Sequence, residues 1–131
     1  MNSPDLAAAP QDRATFVLVV EDEFLVRFSI ADELRAAGMT VIEAANATEA
    51  WTYLASGGRA DLVFSDIQMP GGMDGIDLAR RLRDAHPAIP LILTSGNVPA
   101  ERVDGLAPFI RKPYRSAVVM SVIAEALKRN R

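Results

Sequence analysis

Five short apolar runs, which recur about every 20 to 30 residues, are the strongest constraint on what this chain folds into. The runs are rich in β-branched residues and are continuous rather than alternating, which is typical of strands covered on both faces of a parallel sheet. They are Phe16 to Val20, Thr40 to Ile42, Leu62 to Phe64, Leu91 to Leu93, and Phe109-Ile110. The sequence therefore predicts a five-stranded sheet.

The stretches between the runs carry apolar residues at helical spacing, which predicts amphipathic helices. The last stretch has such a stripe at Val118, Val119, Val122, Ile123, Ala126 and Leu127. Asn97 to Ala107 is different, because it contains Pro99 and Gly105 and few apolar residues. A short or irregular fourth helix is predicted there.

Strands that alternate with helices imply right-handed crossovers and a three-layer α/β domain. The 131 residues suffice for one such domain, which we expect over residues 15–131. Residues 1–14 mix proline with small and polar residues without a period, and they are expected to form a mobile N-terminal tail.

Charge and composition exclude several classes of function. A net charge of −3 leaves no basic surface for nucleic acid, and the chain has no cysteine for a disulfide or a thiolate site. We find no signal peptide and no apolar run long enough to cross a membrane. The expected location is the cytoplasm.

The carboxyl ends of the predicted strands carry the chemistry. They read Glu21-Asp22-Glu23, Ser65-Asp66, Thr94-Ser95 and Arg111-Lys112-Pro113. Sites in open α/β sheets form at this edge. Neighbouring carboxylates repel unless a cation binds, and an all-oxygen site with few ligands suits Mg²⁺. A carboxylate beside a lysine, a hydroxyl and Mg²⁺ can attack phosphorus, which makes Asp66 the candidate nucleophile.

Together these strand ends, with Asp66 continuing into Ile67-Gln68-Met69-Pro70 and Met73-Asp74-Gly75, resemble the receiver domain of bacterial two-component response regulators. The resemblance covers residues 15–128, with Asp22, Asp66, Thr94 and Lys112 at intervals of 44, 28 and 18 residues. It implies a doubly wound, flavodoxin-like (βα)5 fold with strand order 2-1-3-4-5. It also implies a stand-alone receiver similar to chemotaxis regulators.

The resemblance further implies a phosphorelay function. Asp66 is the expected acceptor of a phosphoryl group from the phosphohistidine of a histidine kinase or a histidine phosphotransfer protein. Asp22 and Asp66 are the expected direct Mg²⁺ ligands, Glu21 acts through a bound water, and the main-chain carbonyl of Gln68 completes the set. The protein is expected to be a switch that assists its own phosphorylation and dephosphorylation, not an enzyme with a separate substrate.

Three further residues take roles from the resemblance. Lys112 pairs with the phosphoryl oxygens, the Thr94 hydroxyl moves to bond them, and Phe109 swings inward as the switch aromatic. A cis peptide bond before Pro113 is expected to aim Lys112. Output then passes through a downstream protein target, through a homodimer, or by shuttling or draining phosphate.

Two departures from the family pattern modify this expectation. The loop after Asp66 is one glycine longer, at Gly71-Gly72, and the Thr94 to Lys112 interval is shorter than in typical receivers. The short interval predicts a partner surface unlike that of standard members. The resemblance also implies that Gly96 and Gln68 occupy positions that tune water access to the acyl phosphate. Because glycine shields little, easy autodephosphorylation is expected.

Two other functions remain open from the residues. One is a receiver-like interaction module that signals without phosphate, although the complete set of site residues disfavours it. The other is a Mg²⁺-dependent phosphohydrolase that uses Asp66 transiently. Such enzymes need a neighbouring general acid or base and usually a cap domain, for which this chain is too short.

Overall fold

Five strands and four helices alternate along the parts of the chain that the computed structural model describes, residues 14–97 and 105–129. The strands are β1 (Phe16–Val20), β2 (Thr40–Ala44), β3 (Leu62–Asp66), β4 (Leu91–Ser95) and β5 (Phe109–Arg111). The helices are α1 (Phe24–Ala36), α2 (Ala47–Ala55), α3 (Gly75–Ala85) and α4 (Ser116–Arg129). Each predicted apolar run therefore forms a strand.

All five strands are parallel and lie in the order β2-β1-β3-β4-β5, which confirms the predicted doubly wound, flavodoxin-like fold. The register places Val20 beside Ser65 and Asp66 beside Thr94. The carboxyl ends of β1, β3 and β4 consequently meet at one edge of the sheet, where Asp66 ends β3 and Ser95 ends β4. The next residues along the chain after β1 and β5 are Glu21 and Lys112.

The two faces of the sheet carry separate apolar cores. On one face, α1 and α4 pack through buried residues such as Leu34 and Ile123 against Val19 and Phe64. On the other face, α2 and α3 pack on a second core, formed by Leu18, Val20, Ala44, Ala47, Ala50, Leu54, Ala60, Val63, Ile67, Ile76, Leu78, Ala79, Leu82, Leu91 and Leu93. Successive residues of a strand point to opposite faces of the sheet. Because both faces are covered by a core, successive residues of each run are apolar.

Val118 was expected on the apolar stripe of the last helix, but it is 47% exposed. The buried side of α4 is centred on Val119 and Ile123. Each residue turns an α-helix by about 100°, so Val118 lies at the rim of the buried face rather than within it.

Two predicted segments lie outside the described residues. Residues 98–104, where the irregular fourth helix is predicted, are not described, so the label α4 belongs here to the helix after β5. The same holds for residues 1–13 of the predicted tail. None of the helices in the described ranges has the length and apolar character needed to cross a bilayer.

Candidate phosphoryl-acceptor site

Three carboxylates meet where β1 and β3 end. Glu21, Asp22 and Asp66 each offer an oxygen atom, and these oxygens all lie within 4.8 Å of one another. Glu21 is 4% exposed and Asp66 is 6% exposed, whereas Asp22 faces solvent. The sequence expectation that these acids share a cleft agrees with this geometry.

Lys112 is the cation of this cleft. Its Nζ atom lies 2.7 Å from Oε1 of Glu21 and 3.1 Å from Oδ2 of Asp66. The main-chain nitrogen of Lys112 donates to the carbonyl of Ser95 at 3.0 Å, and the Lys112–Pro113 peptide bond is cis, as the resemblance implied. Burial lowers the pKa of Lys112, but the hydrogen bond to Glu21 and the charges of Asp66 and Glu21 outweigh burial and raise that pKa above its usual value.

Both carboxylate oxygens of Glu21 accept hydrogen bonds from other groups of the protein. Besides the contact with Lys112, its Oε2 accepts a hydrogen bond from the main-chain nitrogen of Glu23 at 3.1 Å. Burial raises the pKa of Glu21 above its usual range, and the hydrogen bond from Lys112 opposes that rise.

The oxygen atoms fit a hard divalent cation. Asp22 is exposed and Asp66 has a second carboxylate oxygen besides the one near Lys112, so both can contribute ligands, while Glu21 is held by its own partners. Mg²⁺ favours such a site, with few carboxylates and coordination completed by water. The indirect role of Glu21, through a water on the cation, stays a prediction.

Thr94 lies directly beside Asp66 on the neighbouring strand. It is 1% exposed, and its Oγ1 atom has no hydrogen-bond partner among the described residues. Burying a hydroxyl without a partner is costly. The role of Thr94 as the switch hydroxyl stays a prediction.

Phe109 lies on β5 beside Leu93, one residue before Thr94 along β4. It is half-buried against the core on the α2 and α3 face. The guanidinium group of Arg111 covers its ring at 5.4 Å. Phe109 is therefore near the expected switch hydroxyl but is not fully packed.

Gln68 follows Asp66 by two residues and is exposed. Its Oε1 atom accepts a hydrogen bond from Nδ2 of Asn97 at 3.3 Å, which bridges the segments after β3 and β4. Its main-chain carbonyl remains a predicted cation ligand.

Sequence reasoning missed two residues that support the site. Arg27 of α1 donates from Nη1 to the main-chain oxygen of Glu21 at 2.8 Å. Gly75, the first residue of α3, approaches the end of β3 so closely that a Cβ would collide with the main-chain oxygen of Asp66. An arginine on an amphipathic helix gives no sequence signal, whereas a glycine directly after the helix-capping Asp74 is a signal from which a close approach of α3 could be predicted.

Tyr114 lies on the α1 and α4 side of the site. Its ring meets the Phe64 ring edge-on, with centroids 5.7 Å apart. Burial raises the pKa of the Tyr114 phenol to about 12, although the charge of Lys112 acts in the opposite direction. The Tyr114 phenol is therefore neutral at physiological pH.

Exposed apolar side chains follow the acidic residues after β1. Among the described residues, the exposed large hydrophobic side chains are Val118 of α4 and three residues of α1, Phe24, Leu25 and Phe28, which we call the rim patch. The Phe24 and Phe28 rings stack at 5.9 Å. A groove of about 280 Å³ runs beside it, lined by Leu25, Val26, Ser29, Ile30, Tyr114 and Ser116.

Known proteins share this sequence and fold. Sensor kinase CckA of Brucella abortus (strain 2308) is 38% identical over 122 residues, which cover 86% of this chain and 12% of that protein. The crystal structure of a response regulator receiver protein from Sinorhizobium medicae WSM419 has a TM-score of 0.85 at 25% identity, covering 91% of this chain and 98% of that one. The receiver domain from hybrid histidine kinase CckA has a TM-score of 0.71 at 33% identity, covering 86% and 98%.

The chain spans between 12% and 51% of the length of the first curated relatives that it matches. Residues 17–124 match the family model described as the response regulator receiver domain. The chain thus belongs to the response regulator receiver domains, the phosphorelay receivers of two-component systems.

Proposed function

We propose that Asp66 is the residue of this receiver that accepts the phosphoryl group. The observation that carries the proposal is the convergence of Lys112 on Asp66 and Glu21 at 3.1 and 2.7 Å, beside exposed Asp22. Asp66 is thereby fixed next to a cation while one carboxylate oxygen remains available. The Thr94 hydroxyl is buried beside it and has no hydrogen-bond partner in the described part of the chain, so it supplies a further donor for an added phosphoryl oxygen.

In the proposed reaction an oxygen of ionised Asp66 attacks the phosphorus atom of a phosphohistidine. The P–O bond to Asp66 forms as the P–N bond breaks, and the imidazole nitrogen leaves with the electron pair and takes up a proton. In dephosphorylation, water attacks the phosphorus atom and the P–O bond to Asp66 breaks. Inorganic phosphate leaves, and the Asp66 carboxylate is restored. Lys112 neutralises charge on the phosphoryl oxygens in both steps.

Asp22, Asp66 and the main-chain carbonyl of Gln68 are the proposed direct ligands of Mg²⁺, and Glu21 acts through water. When bound, Mg²⁺ supplies charge stabilisation for the transferring phosphoryl group. The protein groups orient the acceptor: Lys112 holds Glu21 and Asp66 at a fixed separation, and Gly75 allows α3 to begin against Asp66.

The switch follows from the added charge. An acyl phosphate on Asp66 brings oxygen acceptors beside Thr94, whose hydroxyl gains a hydrogen bond by moving towards them. Phe109 lies half-buried next to that strand and fills the space that Thr94 leaves. The switch therefore alters the surface around β4 and β5.

Proposed partners are a histidine kinase or histidine phosphotransfer protein as donor, and a downstream protein target or a second copy of the chain for output. The rim patch supports the donor as its occupant. Phe24 directly follows the acidic end of β1, so a protein that brings phosphohistidine to Asp66 also covers the beginning of α1. Loss of the exposed apolar area on docking favours the complex.

Incubation with acetyl phosphate and Mg²⁺, followed by intact-protein mass spectrometry, tests the proposal. We expect a gain of one phosphoryl group that is absent in Asp66→Asn and reduced in Asp22→Asn. An unchanged mass for the wild-type protein under these conditions identifies a phosphate-independent interaction module instead. Continuous release of inorganic phosphate over many turnovers identifies a hydrolase.

A further inference from the structure

The side chain of Arg27 joins three elements behind the acidic cleft. From α1, its Nη1 donates to the main-chain oxygen of Glu21 at 2.8 Å, and its Nε pairs with Oε1 of Glu43 on β2 at 3.0 Å. The side chain is 15% exposed, so both contacts are largely shielded from water. A shielded, charge-assisted hydrogen bond to a carbonyl is stronger than an exposed one.

The oxygen that Arg27 holds belongs to the peptide unit between Glu21 and Asp22. Because that unit is planar, fixing its oxygen restricts ψ of Glu21 and φ of Asp22, and therefore the directions of both carboxylates. Glu21 has other restraints, namely Lys112 and the main-chain nitrogen of Glu23. Among the described residues, no group donates a hydrogen bond to the Asp22 carboxylate, so its direction depends on the peptide that Arg27 holds.

Glu43 keeps Arg27 in place. Glu43 also pairs with Arg35, which does not reach the cleft. Arg35 pairs with Oε2 of Glu43 at 3.0 Å and donates to the main-chain oxygen of Val41. Arg27 and Arg35 therefore share one carboxylate, but Arg27 alone of this pair contacts Glu21. Arg35 is therefore a matched control for replacements of Arg27.

We propose that Arg27 is a positioning residue of the acidic cleft: by holding the Glu21–Asp22 peptide against Glu43, it orients Asp22 for a divalent cation. This inference rests on the proposed function, since it concerns the same site. Residues that orient metal ligands from behind commonly change metal affinity 10- to 100-fold when they are replaced.

The direction in which Mg²⁺ affinity changes when Arg27 is replaced separates a positioning role from a purely electrostatic one. Arg27 is a cation close to the cleft, so its electrostatic field alone repels Mg²⁺, and replacing it by a neutral residue then tightens Mg²⁺ binding. Loss of positioning has the opposite effect and weakens binding.

Titration of the unphosphorylated protein with Mg²⁺ in a calorimeter tests this. We expect Arg27→Gln to weaken Mg²⁺ binding by about 10-fold, Arg27→Lys to weaken it less, and Arg35→Gln to leave it within about 2-fold of wild type. Amide exchange of Asp22 and Glu23 in metal-free protein is expected to rise in Arg27→Gln and to stay unchanged in Arg35→Gln.

Unchanged or tighter Mg²⁺ binding by a folded Arg27→Gln protein overturns the inference, as does an equal loss in Arg35→Gln. If Arg27→Gln does not fold, the same comparison is made with Arg27→Lys, and wild-type affinity in that variant with unchanged exchange at Asp22 rejects the inference. Wild-type protein that binds no Mg²⁺ rejects the proposed function as well, so the two failures are distinguishable.

Discussion

The ammonium nitrogen of Lys112 lies 2.7 Å from Oε1 of Glu21, although the two residues are 91 positions apart in the chain. This contact is shorter than the one that Lys112 makes with Asp66. Before phosphorylation, Lys112 is therefore shared between the proposed acceptor Asp66 and Glu21, which is not an acceptor. An added phosphoryl group at Asp66 competes with Glu21 for the same ammonium group.

Replacing Lys112 by Met is expected to tighten Mg²⁺ binding, because the ammonium group opposes a second cation at the same carboxylates. The gain is roughly 10-fold for a unit charge a few ångströms away under partial screening. In EDTA, the free energy of unfolding is expected to fall by about 1–3 kcal/mol, since buried Glu21 and Asp66 lose their cation. Calorimetric titration and urea unfolding measure both effects.

The matched control for that variant is Lys128→Met, which removes the other lysine of the chain from the exposed end of α4. It is expected to change neither quantity. Weaker Mg²⁺ binding in Lys112→Met would show that Lys112 organises the carboxylates more than it repels the cation.

Replacing Thr94 by Val is expected to leave the unphosphorylated protein as stable as wild type, or more stable by about 1 kcal/mol. The reason is that the Oγ1 atom is buried and finds no partner within residues 14–97 and 105–129, and Val has nearly the same shape without that hydroxyl. The rise in melting temperature that beryllium fluoride, an acyl phosphate mimic, produces in wild type is expected to shrink. Thr94→Ser keeps the hydroxyl and is expected to retain that rise. A Thr94→Val protein with reduced basal stability and a full response would contradict the assigned role.

Replacing Leu25 and Phe28 by Ala is expected to slow phosphotransfer from a histidine kinase by about 10-fold or more, because exposed apolar residues at the centre of an interface contribute on the order of 1–2 kcal/mol each. Phosphorylation by acetyl phosphate, which needs no docking, is expected to be unchanged and serves as the internal control. The measurement compares initial rates with both donors for a kinase that phosphorylates the wild type. Equal slowing with both donors would indicate damage to the site instead of to a docking surface.

Replacing Tyr114 by Phe is expected to make the protein more resistant to alkaline unfolding. The pKa of Tyr114 in the folded protein is about 12, above its ordinary value of 10. The unfolded chain therefore releases the phenol proton first, and the stability that the neutral phenol provides below pH 10 is lost as the pH rises towards 12. Urea unfolding between pH 9 and 12 measures the loss, which is expected to be smaller in Tyr114→Phe. Tyr53→Phe is the control, and an identical pH dependence in wild type and Tyr114→Phe would contradict the prediction.

Much of the fold was predictable because its signals are local. Continuous β-branched runs such as Phe16 to Val20 indicate strands covered on both faces, and helical spacing places residues such as Leu34 and Leu54 in the cores. The strand order came from the family resemblance, since strand length and spacing do not specify neighbours. The Val118 prediction failed because a stripe on a helix defines its apolar side only to within a residue or two.

The site was predictable in composition but not in its connections. Parallel strands bring their carboxyl ends to one edge, so Asp22, Asp66 and Thr94 were expected to be close together. The partition of Lys112 between Glu21 and Asp66, the support of Glu21 by Arg27, and the lack of a partner for Thr94 were not foreseen.

The sequence by itself determined the order of strands and helices along the chain, the apolar faces, and which chemical groups stand at the strand ends. Only the tertiary structure decided which of those groups touch. Local patterns depend on neighbours a few residues away, whereas the contacts of Lys112 join residues 46 and 91 positions apart. Differences of a few tenths of an ångström between such contacts depend on how helices and strands pack. No local sequence pattern encodes them.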